Sequence, residues 1–213
     1  MDVSQISKFL QESIDKGRRW KRIRLLGGEP FLHPDLCEIV DLVLEYKNDR
    51  DPLVNIEIIT NGYGTTLDAL RSDISTKITV ESTYKNAPVG NKFDAFNLAP
   101  RDDWRYGFTD FSSGCWIPAE CGIGLTPFGY YHCAIAGGID RILGLDLSFK
   151  SLPGIDEGYK MMMRKLCPWC GHFRIGYHES SKLKELLNEQ HTSKSWEKTY
   201  KEYGQHQPNL TRY

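Results

Sequence analysis

The first 85 residues alternate between helix-period and strand-like runs, and that rhythm restricts the fold more than any other feature of the chain. Val3, Ile6, Leu10 and Ile14 recur at helical spacing, with Asp2 placed to cap the start and Gly17 to end it. "KRIRLLGG" then reads as a buried strand entering a glycine turn. In "HPDLCEIVDLVLEYKND", Leu36, Ile39, Val40, Val43 and Leu44 make one apolar stripe, and Pro34 suits a first helical turn, where its missing N–H is not needed. "LVNIEIITNG" is strand-like and closes on Asn-Gly, "TTLDALRSD" has the spacing of a short helix, and "TKITVEST" reads as a third strand. Strands separated by helices pair in parallel through right-handed crossovers, so the fold class is α/β.

Near Lys85 the rhythm stops. Residues 86–114 offer turn residues and scattered aromatics without a period, and read as a linker or the end of the first domain. Within the module of residues 115–180, residues 121–144 show short strand-like runs split by glycines, the pattern of a small β-hairpin. Residues 181–213 form a helical tail, with Leu183, Leu186 and Leu187 and then Trp196, Tyr200 and Tyr203 at three-to-four spacing, and the final residues are expected to fray. A net charge of -1 gives no broad positive field for nucleic acid, and the basic run over residues 16–24 reads as solvated surface. No segment approaches the roughly 18 apolar residues of a membrane span, and the start lacks the apolar core of a signal peptide. The expected address is therefore cytoplasmic, where the six cysteines stay reduced and clustered ones read as metal ligands before disulfides.

Five of those cysteines fall between residues 115 and 170. Cys167 and Cys170 form a C-x2-C knuckle around Pro168 and Trp169, with Gly171 letting the chain fold beneath a metal. Cys121 and Cys133 supply the second pair, meeting across a hairpin that turns at Gly129. Cys115 is a fifth candidate, either replacing Cys121 or remaining a buried thiol. Four thiolates suit zinc and iron–sulfur alike, so spacing does not choose the metal. His132 and His172 read as hydrogen-bonding neighbours, Met161, Met162 and Met163 as flexible core, and Tyr130, Tyr131 and Trp169 as packing around the site. Cys37 is expected to be a half-buried core thiol and His33 a helix-terminus residue.

The other candidate site is "LLGGEPFLHPDL", residues 25–36. Ligands of parallel sheets gather at the carboxyl ends of the strands, where Gly27, Gly28 and Glu29 fall. Glycines there admit close backbone approach, a carboxylate accepts hydrogen bonds from a ligand ammonium, and Pro30 stiffens the exit. An ordinary strand-to-helix turn explains the same residues, and both readings stand at this point.

This turn, followed by "EIITNG", resembles the second and third strands of radical S-adenosylmethionine enzymes, over roughly residues 1–85. The resemblance implies a partial (β/α)6 barrel, incomplete at its N-terminus, in which Gly27, Gly28 and Glu29 line S-adenosylmethionine and hold its amino group, with Asn61 and Ser82 facing the cofactor from the next two strand ends. Family members carry a C-x3-C-x2-C loop for the 4Fe–4S cluster that cleaves S-adenosylmethionine. No such triplet occurs in this chain. The expectation is that the first strand and its loop lie upstream of Met1, and that this chain alone is inactive and contributes no catalytic residue. The cysteine spacing is similar to SPASM or twitch modules, with one residue fewer between Gly129 and Cys133. That likeness implies one auxiliary 4Fe–4S cluster on Cys121, Cys133, Cys167 and Cys170, an electron-donor protein as partner, and an oxidoreductase-like radical reaction on a peptide or small-molecule substrate. The competing reading is a noncatalytic partner-recognition module stiffened by zinc.

Overall fold

Helix α1 (Val3–Asp15) begins where Asp2 and Gln5 cap one another, Gln5 N donating to the Asp2 carboxylate at 2.9 Å and Asp2 N to the Gln5 side chain at 3.2 Å. The computed structural model describes residues 1–62, 68–83, 97–113, 115–154, 158–173 and 192–213. It divides into two units, Met1–Asn91 and Lys92–Tyr213.

In the first unit, strands β1 (Arg22–Leu25), β2 (Asn55–Thr60) and β3 (Thr79–Ser82) lie parallel in that order. Helices α2 (Leu36–Asp49) and α3 (Asp68–Ser75) make the crossovers, so the parallel α/β arrangement expected from the alternation is present. The described residues of this unit show these three strands and no closed barrel. Register sorts the side chains onto two faces. One row carries Ile23, Leu25, Ile56, Ile58 and Val80 into a core shared with Ile6, Leu10, Val40 and Val43. Each fully buried aliphatic side chain there contributes about 1.5–3 kcal/mol. The opposite row is polar: Arg24 donates to Glu57 from Nε at 2.9 Å and from Nη2 at 2.8 Å, and Asn55 donates to the same carboxylate at 2.6 Å. Helix α2 starts at Leu36, so Pro34 precedes the helix rather than sitting in its first turn; Asp35 N is held by the His33 ring at 3.1 Å. Cys37 is exposed on α2 instead of half-buried, because it lies off the Leu36–Val40–Val43 stripe.

In the second unit, β4 (Gly124–Thr126) and β5 (Gly129–Tyr131) pair antiparallel. Short helix α4 (Ile117–Cys121) precedes them, and α5 (Ala134–Leu143), α6 (Lys160–Leu166) and α7 (Lys194–Gln205) follow. The strand-and-glycine reading of residues 134–143 is corrected by α5. Of its two glycines, Gly137 serves packing: a Cβ there would come within 2.5 Å of the Thr126 methyl and 3.1 Å of the Tyr131 ring. The helix therefore needs glycine to lie against the hairpin. Asp140 is fully buried and accepts hydrogen bonds from Tyr131 Oη at 2.8 Å and Leu147 N at 2.9 Å, tying α5 to β5 and to the chain beyond it. Burial, reinforced by that carboxylate, pushes the Tyr131 hydroxyl well above the ordinary phenol value.

Residues 97–113 lie within the second unit. Asn97 O accepts from Ser193 N at 2.8 Å and Asp102 accepts from Ser195 N at 2.9 Å, a grip on the start of α7. The chain end is docked rather than frayed: Leu210 is buried, Tyr213 N donates to Pro127 O at 3.0 Å, and Lys150 Nζ donates to Thr211 O at 2.9 Å. Of the methionine run, Met162 is buried and Met161 is 69% exposed, since one turn of α6 cannot bury three consecutive residues. Leu183, Leu186 and Leu187 lie outside the described residues. No helix among the described residues is long and apolar enough to cross a membrane.

Candidate functional site

The first candidate lies at the carboxyl edge of the parallel sheet. Gly27 and Gly28 follow β1, Asn61 follows β2, and Ser82 ends β3, with Thr60 and Ser82 in register. Gly27 has φ +130°, a conformation other residues rarely adopt, and both glycines are exposed, with no atom of the described residues within 4 Å of an added Cβ. Glu29 is half-buried and tied both to its own turn and to the end of β2. Its Oε1 accepts from Phe31 N at 3.1 Å and from Thr60 Oγ1 at 2.8 Å, and its Oε2 accepts from Asn61 N at 2.8 Å. One carboxylate thus joins the ends of two strands and caps the short 3-10 turn Pro30–Leu32. A carboxylate has about four acceptor sites, so three internal bonds leave capacity on Oε2. Thr60 is the residue that sequence reasoning passed over: buried, it donates to Glu29 and accepts from Gly62 N at 3.1 Å. The available signal was a hydroxyl closing the apolar strand "NIEIIT".

The second candidate is a narrow cavity inside the second unit, with a volume of about 20 Å³. Cys115, Cys133, Cys167 and Cys170 line it, together with His132, His172 and apolar side chains from α5 and α6. Three segments deliver these sulfurs: the approach to α4, the exit of β5, and the turn after α6. Cys121 ends α4, is exposed, and is not among the lining residues, although it influences Cys115 and Cys133 electrostatically. The structure therefore gathers three of the four expected sulfurs and sets Cys115 beside them.

Burial is the main force on these thiols. It pushes Cys133 up to about 11 and Cys170 up to about 12, and raises Cys167 and Cys115 as well; in each case neighbouring cysteines add repulsion. His132 Nε2 lies 3.4 Å from Cys167 Sγ and His172 Nδ1 lies 3.8 Å from Cys170 Sγ. Burial lowers His132 to about 4, keeping the ring neutral near pH 7. Among the described residues, no group of three or more histidine, cysteine or acidic side chains is set to hold a metal ion. A single tetrahedral ion demands sulfurs at close quarters, each about 2.3 Å from zinc, whereas a four-iron cubane spreads its thiolates over separate corners. Four thiols around one cavity fit the wider demand in number and donor chemistry.

Comparison with known proteins gives partial matches. GTP 3',8-cyclase of Aliarcobacter butzleri is 38% identical over 63 residues, and the enzymes of that name from Campylobacter jejuni subsp. doylei and subsp. jejuni are each 33% identical over the same length. Each match covers 30% of this chain and 18% of the relative, so the aligned part spans under a fifth of those proteins. These matches support the resemblance to the radical S-adenosylmethionine superfamily over that portion. No family model matches the chain, and no solved structure matches it.

Proposed function

We propose that this chain is part of a radical S-adenosylmethionine protein whose second unit carries an auxiliary iron–sulfur site. The observation that carries the reading is the convergence of Cys115, Cys133, Cys167 and Cys170, from three chain segments, on one cavity. Those four are the proposed ligands, with Cys115 in place of Cys121. At the sheet edge, Gly27 and Gly28 leave backbone open to a ligand, while Thr60 and Asn61 N hold the Glu29 carboxylate still for an ammonium group. Asn61 and Ser82 stand at neighbouring strand ends for the rest of that cofactor.

When bound, an auxiliary cluster supplies electron transfer or a substrate-anchoring iron. This chain's own residues bind, orient and exclude water. The Gly27–Glu29 turn fixes the methionyl end of S-adenosylmethionine, and the apolar side chains of α5 and α6 keep the cysteine cavity largely dry. Because the chain carries no C-x3-C-x2-C triplet, it is proposed to be inactive alone in cleaving S-adenosylmethionine. Radical chemistry on a peptide or small-molecule substrate belongs to the proposal for the intact protein, with an electron-donor protein as partner.

Anaerobic reconstitution of the full chain with ferrous iron and sulfide tests the reading. The expected result is close to four irons and four sulfides per chain with visible charge-transfer absorption, lost in Cys115→Ser and kept in Cys121→Ser. Stoichiometric zinc that iron does not replace would overturn it in favour of a zinc-stiffened recognition module.

A further inference from the structure

His132 lines the cysteine cavity without being one of its sulfur donors. It directly follows β5, so the strand that places Cys133 also delivers an imidazole, which is 4% exposed. Its Nε2 lies 3.4 Å from Cys167 Sγ, a good length for an N–H···S hydrogen bond. Its Nδ1 is buried and has no hydrogen-bond partner among the described residues. A neutral imidazole carries one N–H and one lone pair, so one of the two must be left unpaired at Nδ1. Orphaned buried N–H groups are rarer in proteins than under-satisfied acceptors, which marks them as the costlier choice. The less costly tautomer therefore carries its proton on Nε2, aimed at sulfur.

We propose that His132 is a positioning residue that donates an N–H···S hydrogen bond to Cys167 and thereby sets the redox poise of the group the cysteines hold. This inference rests on the iron–sulfur reading above. Hydrogen bonds to ligating sulfur are among the levers that set iron–sulfur potentials. A donor favours the more electron-rich, reduced state, so a chain lacking it is harder to reduce. His172 supplies the internal comparison. At 3.8 Å from Cys170 Sγ its contact is longer, and its influence is smaller.

The test uses the full chain, reconstituted anaerobically with ferrous iron and sulfide, as parent, His132→Leu, His132→Gln and His172→Leu. Iron and sulfide per chain report the site, and a redox titration followed by electron paramagnetic resonance reports the poise. For His132→Leu the expected result is parental iron content with a reduced-to-oxidised ratio about tenfold lower at fixed potential, or 59 mV for one electron. His132→Gln, which keeps an N–H donor, returns most of that shift, and His172→Leu moves it by less. A His132→Leu chain with parental iron that titrates with the parent would overturn the inference, as would His132→Gln displaced as far as His132→Leu. Should His132→Leu hold no iron, His132→Gln decides: parental iron and potential uphold the donor role, and loss of iron or a displaced potential overturns it. A parent that takes up no iron defeats the iron–sulfur reading and this inference together, which differs visibly from a loaded parent whose variants leave the potential unmoved.

Discussion

The Gly27–Glu29 turn and the cysteine cavity spend their polar groups in opposite ways. At the turn, Glu29, Thr60, Phe31 N and Asn61 N satisfy one another, so the strand ends are fixed by bonds internal to the chain. In the cavity, four thiols are held neutral by burial and mutual repulsion, and His132 Nδ1 has no partner among the described residues. The contrast teaches which site is preorganised by backbone geometry and which by side-chain chemistry. A cation entering the cavity competes with protons, because ligation requires thiolates; an ammonium reaching the turn meets a carboxylate already in position.

The sharpest way to break this contrast is Cys170→Ser. Iron retention is expected to fall to background while Cys121→Ser stays near the parent, as read by iron and sulfide content; equal loss in both would restore Cys121 to the ligand set. Next in size is Glu29→Ala, which removes the carboxylate that accepts from Asn61 N, Phe31 N and Thr60 Oγ1, and is expected to cost about 1–3 kcal/mol in urea unfolding followed through Trp20 in the first unit. An unchanged midpoint would mean that the strand ends are held by other contacts. Gly137→Ala pushes a methyl into Thr126 and Tyr131 and is expected to destabilise the second unit by about 1–2 kcal/mol. At Gly138, where an added Cβ meets nothing within 4 Å, alanine is expected to stabilise by roughly 0.5–1 kcal/mol. Opposite signs at adjacent positions, measured by thermal melting, would verify that α5 is packed as described.

Weakest near neutrality is the pH dependence of the metal-free chain. Folded His132 holds its proton less tightly than the unfolded ring, so its contribution is complete above about 6.5 and is lost as pH falls through about 4. Cys133 behaves in reverse: the folded thiol keeps its proton more tightly, so its contribution is complete below about 9 and is lost as pH rises through about 11. Melting temperatures across that range are expected to form a plateau between 6.5 and 9, and His132→Leu should flatten its acid shoulder.

Much of the first unit was legible because its elements obey single periods. The stripe Ile39–Val40–Val43 and the run "NIEIIT" each point to one element. Helix α5 was not, because Gly137 and Gly138 read locally as breakers, while the reason for Gly137 is the Tyr131 ring across the hairpin. Packing between elements overrode propensity there. Cysteine spacing identified Cys133, Cys167 and Cys170 as residues that meet, but could not rank Cys115 against Cys121, since the short helix α4 between them turns one toward the cavity and the other outward. Thr60 escaped notice because a hydroxyl at a strand end is ordinary until its partner is known.

The docking of residues 210–213 on the hairpin carries a consequence for synthesis. Tyr130 meets Tyr213, Oη to Oη at 3.0 Å, across a separation of 83 residues, and Pro127 O waits on Tyr213 N. While the ribosome is still adding those residues, the ribbon bearing His132 and Cys133 lacks its clasp. A nascent chain stalled before residue 210 would therefore emerge with the β4–β5 hairpin unlatched.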